Sequence, residues 1–389
     1  MIIGIPKETF PGERRVALIP AVLPPLIKAG HQILVETGAG LSAGQTDHAY
    51  SEKGAEIAAT RADVFARAEI VAQVRCLGAN RDAGRSDLAL FRPGQCVIGF
   101  ADPLIAREET RLFAERKLNL FAMELIPRTT RAQVMDALSS MATFAGYKAV
   151  LIGASHLGKM FPMMMTAAGT LSAAKVFIVG AGVAGLQAIA SARKLGAVVQ
   201  AYDVRPAVRE QIESLGAKFV ELPLETAEAE GKGGYAKEQD ESFLRRQREM
   251  MSKVLAESDL VITTAAIPGK KSPILVTRDM VAGMHPGSVI VDLAAERGGN
   301  CELTRADEVV EAGGVTILGP TNLPTTVPIH ASQLYAKNVA NVLLYVIKEG
   351  KVQNNAEDEI IRETLVTWDG AIVHPTLKDA PELAGAGRK

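Results

Sequence analysis

The stretch VFIVGAGVAGLQAIASAR, residues 176–193, decides the fold. Its four leading apolar residues predict a buried strand, and its alanine-rich end predicts a helix. Between them the glycines have the spacing of a turn that binds a pyrophosphate. Gly180 permits the tight turn, Gly182 lets the main chain approach a phosphate, and Gly185 lets the helix pack against the strand. The free N–H groups and the positive dipole end at the start of the helix favour an anion there.

An acidic residue follows the next predicted strand, Val198–Tyr202, at the position where a ribose would lie. Asp203 comes 18 residues after Gly185, and a carboxylate there accepts both ribose hydroxyls and repels a 2′-phosphate. NAD(H) is therefore favoured over NADP(H) as the cofactor, although the nearby Arg205 weakens that preference. Strand, glycines, helix and acid together predict dinucleotide binding, and a tight turn without a ligand is the alternative.

Strands alternate with amphipathic helices on both sides of this motif, which predicts an α/β protein. We expect two Rossmann-like, doubly wound parallel-sheet domains, the first of them discontinuous. The first domain would comprise residues 1–140 and 322–389, and the NAD(H)-binding domain residues 141–321. Ala132–Leu151 is predicted as one long helix between the domains, and Ser332–Lys348 as the helix that returns to the first. The other predicted strands are Ile2–Ile5, Gln32–Glu36, Glu69–Val74, Cys96–Phe100, Asn119–Met123, Lys218–Val220, Leu260–Thr263, Val289–Asp292 and Val315–Leu318.

Composition excludes several classes of function. The 43 basic and 44 acidic residues leave a net charge of −1, which excludes a nucleic-acid-binding face and a polybasic membrane anchor. Three cysteines without paired spacing indicate a reducing compartment, and no metal-ligand spacing joins them to the six histidines. Residues 160–192, where Lys175 is the only charged residue, have a membrane span's length, but the glycine turn makes the stretch a strand and a helix. Met160 and Met163–Met165 are expected to be core or helix-packing residues.

Four further stretches each leave two interpretations open. Thr263–Gly269 is either a loop under a nicotinamide ribose or a simple Pro-Gly turn. Arg128–Asp136 is a polar ligand site or a helix start capped by Thr130, and the cap is favoured. Arg15 would either bind a ligand's carboxylate through two hydrogen bonds or form a surface pair with Glu13, and the surface pair is slightly favoured. The charged insert between Leu222 and Ala256 is equally a lid or a solvated loop before a polar helix, Glu238–Leu255.

Several separate motifs resemble one family. Ile5–Glu8, Gly12–Ala17 and Pro20 resemble the N-terminus shared by alanine dehydrogenase and the NAD-binding α subunit of proton-translocating nicotinamide nucleotide transhydrogenase. The motifs of the second domain are more similar to transhydrogenase. These are Arg128–Asp136 with Leu138–Ser140 and Ala145–Tyr147, Phe161–Met163, Thr166–Thr170, Gly234–Glu238, Asp292–Glu296 and Gly298–Cys301. They follow in the same order from about Met1 to Gly350.

The resemblance implies roles for residues along the chain, with NAD(H) in a cleft between the two domains. The catalytic residues would be Arg128, Gln133 and Asp136, which with Ser139 would hold the nicotinamide and its ribose. The residues implied at the diphosphate and adenosine are Gly180, Gly182, Val183, Gly185, Asp203, Val204 and Arg205. Gly234 and Tyr235 would lie on a mobile loop that closes over the nucleotide, with Gln247 and Ala266 contributing to the pocket.

The same resemblance implies partners and a location. It indicates a separate α1-type subunit that forms a homodimer. The subunit would dock on membrane-embedded and NADP(H)-binding transhydrogenase subunits, without inserting into the membrane itself. It would therefore be cytoplasmic and peripheral, held at the inner face of the membrane through those partners.

The departures from alanine dehydrogenase favour the transhydrogenase reaction. The dehydrogenase family's substrate-site Lys aligns near Arg75, its His near Ala101-Asp102 and its Asp near Glu296. An amino-acid dehydrogenase needs an acid–base group, whereas hydride transfer between two nicotinamide rings needs only their close alignment. We therefore expect direct hydride transfer from NADH to NADP⁺ on a partner subunit, coupled to proton translocation. An alanine-dehydrogenase-like oxidoreductase and a non-catalytic NAD-binding module are the alternatives.

Overall fold

The computed structural model describes residues 1–221, 241–267 and 269–378. Contacts divide the chain into two compact units. The first contains Met1–Ser140 and the described residues from Thr325 on, and the second contains Met141–Pro324. The division between them falls within a 20-residue helix, Ala137–His156.

Helices and strands are numbered in chain order. Up to residue 156 they are β1 (Ile2–Ile5), α1 (Leu23–Lys28), β2 (Gln32–Glu36), α2 (Asp47–Glu52), β3 (Glu56–Ala58), α3 (Arg61–Arg67), β4 (Ile70–Arg75), α4 (Arg81–Asp87), β5 (Cys96–Phe100), α5 (Arg107–Glu115), β6 (Asn119–Ala122) and α6 (Ala137–His156). The second unit continues with β7 (Met164–Thr166), β8 (Gly169–Leu171), β9 (Lys175–Val179), α7 (Val183–Lys194), β10 (Val198–Tyr202), α8 (Arg209–Ser214), β11 (Lys218–Phe219), α9 (Glu241–Ala256), β12 (Leu260–Thr263), α10 (Arg278–Ala282), β13 (Val289–Asp292), β14 (Val309–Ala312) and β15 (Val315–Leu318). The described chain ends with α11 (Pro328–Val346), β16 (Ile347–Lys348), β17 (Lys351–Val352), α12 (Glu359–Thr364), β18 (Leu365–Trp368), β19 (Ala371–Ile372) and α13 (Pro375–Lys378).

Each unit is built around one doubly wound sheet. The first sheet has the order β19-β18-β6-β5-β4-β1-β2-β3, and the second β11-β10-β9-β12-β13-β15-β14. All neighbours from β3 to β6 and from β11 to β15 pair in parallel. Strand order reverses beside β1 in the first sheet and beside β9 in the second. The predicted α/β class with two Rossmann-like sheets is confirmed.

Antiparallel edge strands complete both sheets and were not predicted from the sequence. β18 pairs antiparallel with β6 and β19 with β18, so residues after Thr325 extend the first sheet. β14 pairs antiparallel with β15 at the edge of the second. These strands are two to four residues long, so their sequences carry little periodicity.

The second sheet is buried on both faces. Val176 and Ile178 contribute to one apolar cluster, while Phe177 and Val179 contribute to another. Successive side chains of a strand point to opposite faces, so a continuous apolar run is required wherever helices cover both sides. This is why the run that begins the motif at residues 176–179 predicted the strand correctly.

Two predictions about the stretch from Ala132 to Met165 were wrong. Met160, Met163, Met164 and Met165 are not core residues: between 38% and 76% of each is exposed. The last two belong to the two-stranded sheet of β7 and β8, in which all six residues are exposed. The single helix predicted over Ala132–Leu151 is divided, because a 3-10 helix over Thr130–Met135 precedes α6.

One described helix, α6, is long and apolar enough to cross a membrane by length and composition alone. Core helices of globular units meet the same criterion. Ala149 and Val150 on this helix are fully buried in the apolar cluster that also contains Val176 and Ile178.

Candidate dinucleotide-binding site

The three glycines of the turn between β9 and α7 meet different surroundings. Gly180 has φ +98°, and a methyl group there would lie 2.5 Å from the Thr264 hydroxyl oxygen. A methyl group on Gly185 would lie 1.9 Å from the carbonyl oxygen of Gly180. At Gly182 a methyl group would meet no atom of the described part of the chain within 4 Å. The chain's own packing therefore requires glycine at the first and third positions and leaves open space over the second.

The Thr263–Gly269 stretch is tied to this turn. The Thr264 hydroxyl donates to the carbonyl of Gly180 at 3.0 Å, and both lie at the carboxyl ends of neighbouring strands, β12 and β9. Asn300 holds the next residue from both sides, since it accepts from the Ala265 N–H at 2.9 Å and donates to the Ala265 carbonyl at 2.8 Å. Ala266 is exposed. In a doubly wound sheet, a ligand lies at this edge where the strand order reverses.

A buried carboxylate supports that loop and was not recognised as a positioning residue from the sequence. Asp292, fully buried at the end of β13, accepts from the hydroxyls of Thr263 and Thr304 at 2.9 and 2.6 Å. It also accepts from the N–H groups of Asn300 and Cys301 at 2.7 and 2.9 Å. Asp292 thereby fixes the loop that carries Asn300. An acid directly after a buried strand was the available signal.

Asp203 lies where the motif places it, at the end of β10, and its side chain is already engaged. It accepts from the N–H of Ala181, inside the glycine turn, at 2.7 Å. Arg205 binds it through its own N–H, Nε and Nη2, at 2.9, 2.9 and 2.8 Å. Exposure is 5% for the Asp203 side chain and 12% for that of Arg205. Hydrogen bonds thus connect the end of β10, the glycine turn and the Asp203–Arg205 ion pair.

The remaining predicted residues of the second unit lie around this centre. Val183 begins α7 and Val204 follows Asp203, both half-buried. Gln247 is 1% exposed and donates to the Tyr202 hydroxyl at 3.0 Å, next to Asp203. Gly234 and Tyr235, together with the rest of the proposed lid up to residue 240, lie outside the described residues.

In the first unit Arg128, Asp136 and Ser139 come together at the start of α6. The Asp136 carboxylate accepts from the Ser139 N–H at 2.8 Å and from its hydroxyl at 2.6 Å, so Asp136 caps the helix. Arg128 Nε lies 3.8 Å from Asp136 Oδ2. Gln133 is exposed and accepts from the Asp136 N–H through its carbonyl at 3.3 Å. The cap predicted at Thr130 is wrong, because the 3-10 turn moves the helix start to residue 137.

Arg15 does pair with Glu13, but not at the surface. Its Nε and Nη2 bind the two carboxylate oxygens at 2.7 and 2.6 Å, and the side chains are 3% and 0% exposed. Arg75 Nε is 3.6 Å from the same carboxylate, and its guanidinium lies 4.4 Å from the centre of the Phe10 ring. Two cations therefore share one buried anion. The position aligned with the dehydrogenase lysine is thus held within the chain's own ion pairs.

Two more carboxylates bind strand ends in this unit, and the sequence analysis assigned them no role. Glu8 accepts from the N–H groups of Val74 and Arg75 at 2.6 and 3.1 Å. Glu124 accepts from those of Ala101 and Asp102 through one oxygen, Oε1. Burial, only partly opposed by these hydrogen bonds, raises the pKa of Glu8 and the pKa of Glu124 each to about 7.

Comparisons with known proteins match nearly the whole chain. Residues 4–145 match the model of the alanine dehydrogenase/PNT N-terminal domain, and residues 149–375 that of the C-terminal domain. The first part of NAD(P) transhydrogenase subunit alpha from Rhodospirillum rubrum is 48% identical over 97% of this chain and 99% of its own length. The chain belongs to the alanine dehydrogenase/PNT family.

Solved structures place it on the transhydrogenase side of that family. The transhydrogenase from Sinorhizobium meliloti matches with a TM-score of 0.85 and 43% identity over 96% of this chain and 100% of that one. An L-alanine dehydrogenase matches with a TM-score of 0.81 but 28% identity, over 97% and 98% of the two chains. The suspected family and the enzyme class, a component of NAD(P) transhydrogenase, are confirmed, and so is an NAD-binding role.

Proposed function

We propose that this chain is the NAD(H)-binding subunit of a proton-translocating transhydrogenase. It would deliver hydride from NADH directly to NADP⁺ held on a partner subunit. The observation that carries the proposal is the glycine turn, where the fold requires Gly180 and Gly185 but none of the described residues occupies the space over Gly182. A pyrophosphate against the first N–H groups of α7 would use that space.

The nucleotide supplies the hydride, and the chain's residues have to bind and orient it. Asp203 would accept the adenosine ribose hydroxyls, with Val183, Val204, Arg205, Gln247 and Ala266 around that end. Arg128, Gln133, Asp136 and Ser139 would act at the nicotinamide and its ribose, and Gly234 and Tyr235 would close over the nucleotide. Asp136 is held in place by Ser139 and by Arg128. Rigid support of this kind serves a reaction whose main demand is the alignment of two rings.

A matched pair of measurements tests nucleotide binding. We expect Gly182→Ala to keep the stability of the wild type and to weaken NADH binding roughly tenfold or more, because the methyl group enters the space left for the pyrophosphate. Titration of NADH fluorescence measures the affinity, and thermal unfolding reports the stability. Equal NADH affinity in the wild type and in Gly182→Ala would contradict the assignment of this turn as the pyrophosphate site.

Reconstitution tests the reaction. The chain, mixed with membrane vesicles that carry the NADP(H)-binding and membrane-embedded subunits, should reduce an NADP⁺ analogue with NADH and couple the reaction to proton movement. Alanine-dependent reduction of NAD⁺ by the isolated chain would support the dehydrogenase alternative instead. NADH binding without transfer in either assay would leave a non-catalytic binding module.

We also propose a homodimer at the inner face of the membrane, held there by the partner subunits. The β7–β8 hairpin supports a contact with a second copy, because Met163, Met165 and Leu171 are 60%, 76% and 51% exposed in a stretch without charge. Exposed apolar patches mark contact surfaces. Light scattering should give twice the chain mass, and Met165→Glu should shift that mass toward the monomer.

A further inference from the structure

The Asp203 carboxylate has no acceptor position left for a ribose. An ionised carboxylate offers about four hydrogen-bond sites. Four N–H donors already use them: those of Ala181 and Arg205 from the main chain, and Nε and Nη2 of the Arg205 guanidinium. A ribose diol needs both carboxylate oxygens as acceptors, so some of these donors have to leave before it binds.

The four donors differ in how easily they leave. The Ala181 N–H belongs to the glycine turn, and the Arg205 N–H is fixed by the chain directly after β10. The guanidinium stands on a flexible side chain and can rotate away without moving the main chain. Arg205 is therefore the group that a ribose would displace from Asp203.

The pair also cancels the charge that should distinguish NADH from NADPH. A lone carboxylate repels a 2′-phosphate, but here a guanidinium binds both oxygens of that carboxylate and neutralises it. A guanidinium is itself a strong bidentate ligand for phosphate, and an arginine at this point of a Rossmann fold accommodates the 2′-phosphate.

We infer that Arg205 is a specificity-determining residue of the proposed NAD(H) site, an inference that rests on the proposed function. Asp203 holds the guanidinium in the free protein, and the ribose diol of NADH displaces it. If the charge of Asp203 is removed, the released guanidinium binds the 2′-phosphate of NADPH. Selectivity then depends on the competition between one carboxylate and one phosphate for the same guanidinium.

Titration with NADH and with NADPH tests the inference in four proteins: the wild type, Asp203→Asn, Arg205→Gln and the double variant. Asp203→Asn should weaken NADH binding about tenfold and tighten NADPH binding about tenfold. Arg205→Gln should tighten NADH binding by up to about tenfold, because the ribose no longer displaces a guanidinium, and weaken NADPH binding about tenfold. The double variant should lose the NADPH affinity that Asp203→Asn gains, because that gain requires the guanidinium.

Controls separate this inference from a general loss of structure. Arg209, on α8, pairs with Glu213 at 3.0 Å and is 49% exposed, so Arg209→Gln should leave the ratio of the two affinities unchanged. Each variant has to be fully folded at the titration temperature, which thermal unfolding checks, because Asp203 and Arg205 form a buried pair whose loss lowers the midpoint. An Asp203→Asn variant that loses NADH without gaining NADPH overturns the inference. A wild-type chain that binds neither nucleotide overturns the proposed function itself.

Discussion

The two sheets share one topology and differ at the strand end where their order reverses. In the second sheet, β9 leads within three residues into α7, and the turn leaves space over Gly182. In the first sheet, β1 is followed by a long connection before α1 begins at Leu23. The buried Glu13–Arg15 pair lies on that connection, and Glu8 binds the end of the neighbouring strand, β4. Topology places a possible site in both sheets. The residues at the strand end decide whether charged side chains of the protein fill that site or leave it open to a ligand.

The largest expected effect comes from breaking the glycine turn. Gly185→Ala puts a methyl group 1.9 Å from the Gly180 carbonyl oxygen, and the backbone cannot yield there without separating α7 from β9. We expect destabilisation of about 4 kcal/mol or more, seen as a lower thermal midpoint or as insoluble protein. Gly182→Ala is the matched control and should unfold at the wild-type temperature. A stable Gly185→Ala protein would show that the helix and strand are not held this closely.

The second effect concerns the charges that fill the first sheet's strand end. Glu13→Ala leaves the Arg15 guanidinium buried without its carboxylate, which should destabilise the protein by roughly 3–5 kcal/mol. Urea unfolding followed by circular dichroism measures the loss. Arg67 and Glu56 also form a pair with two hydrogen bonds, both of 2.6 Å, but their side chains are 44% and 60% exposed. Glu56→Ala should therefore lower the stability far less than Glu13→Ala does, because solvent screens an exposed pair. Equal losses would mean that burial does not distinguish the two pairs.

The smallest effect is a change in the pH dependence of stability. In the folded protein the pKa of Glu124 is raised by burial to about 7, from 4.5. Glu124 contributes most to the stability of the folded protein below pH 4.5, where it is protonated in both states. That contribution is lost as the pH rises through 7, because the carboxyl group ionises more readily in the unfolded chain than in the folded one. Glu124→Gln keeps the oxygen that accepts both N–H groups and removes the ionisation. Stability at pH 8 relative to pH 5 should then rise by on the order of 1 kcal/mol.

The control for that measurement is Glu115→Gln on α5, where the side chain is exposed. Its unfolding curves at pH 5 and pH 8 should differ by the same amount as those of the wild type. If Glu124→Gln also follows the wild-type pH profile, the buried carboxyl does not titrate in this range.

Most strands of the parallel sheets were predictable, and the antiparallel edge strands were not. Leu260–Thr263 and Val289–Asp292 have the bounds that the sequence predicted, because a strand covered on both faces needs a run of apolar residues. The methionines at 163–165 were misplaced for the same reason: apolar composition predicts burial, and only the structure shows a hairpin that exposes them.

The sequence by itself determined the class of fold and the position of the turn between β9 and α7. Both follow from local patterns of glycine and apolar residues, which act over a few neighbours in the chain. Only the tertiary structure decided which charges are buried and which distant groups they contact. It paired Arg205 with Asp203 beside the N–H of Ala181, buried Glu13 with Arg15, and set Glu8 against the end of β4. The energies of such contacts depend on burial and on distances across the fold, and spacing along a chain does not specify either of them.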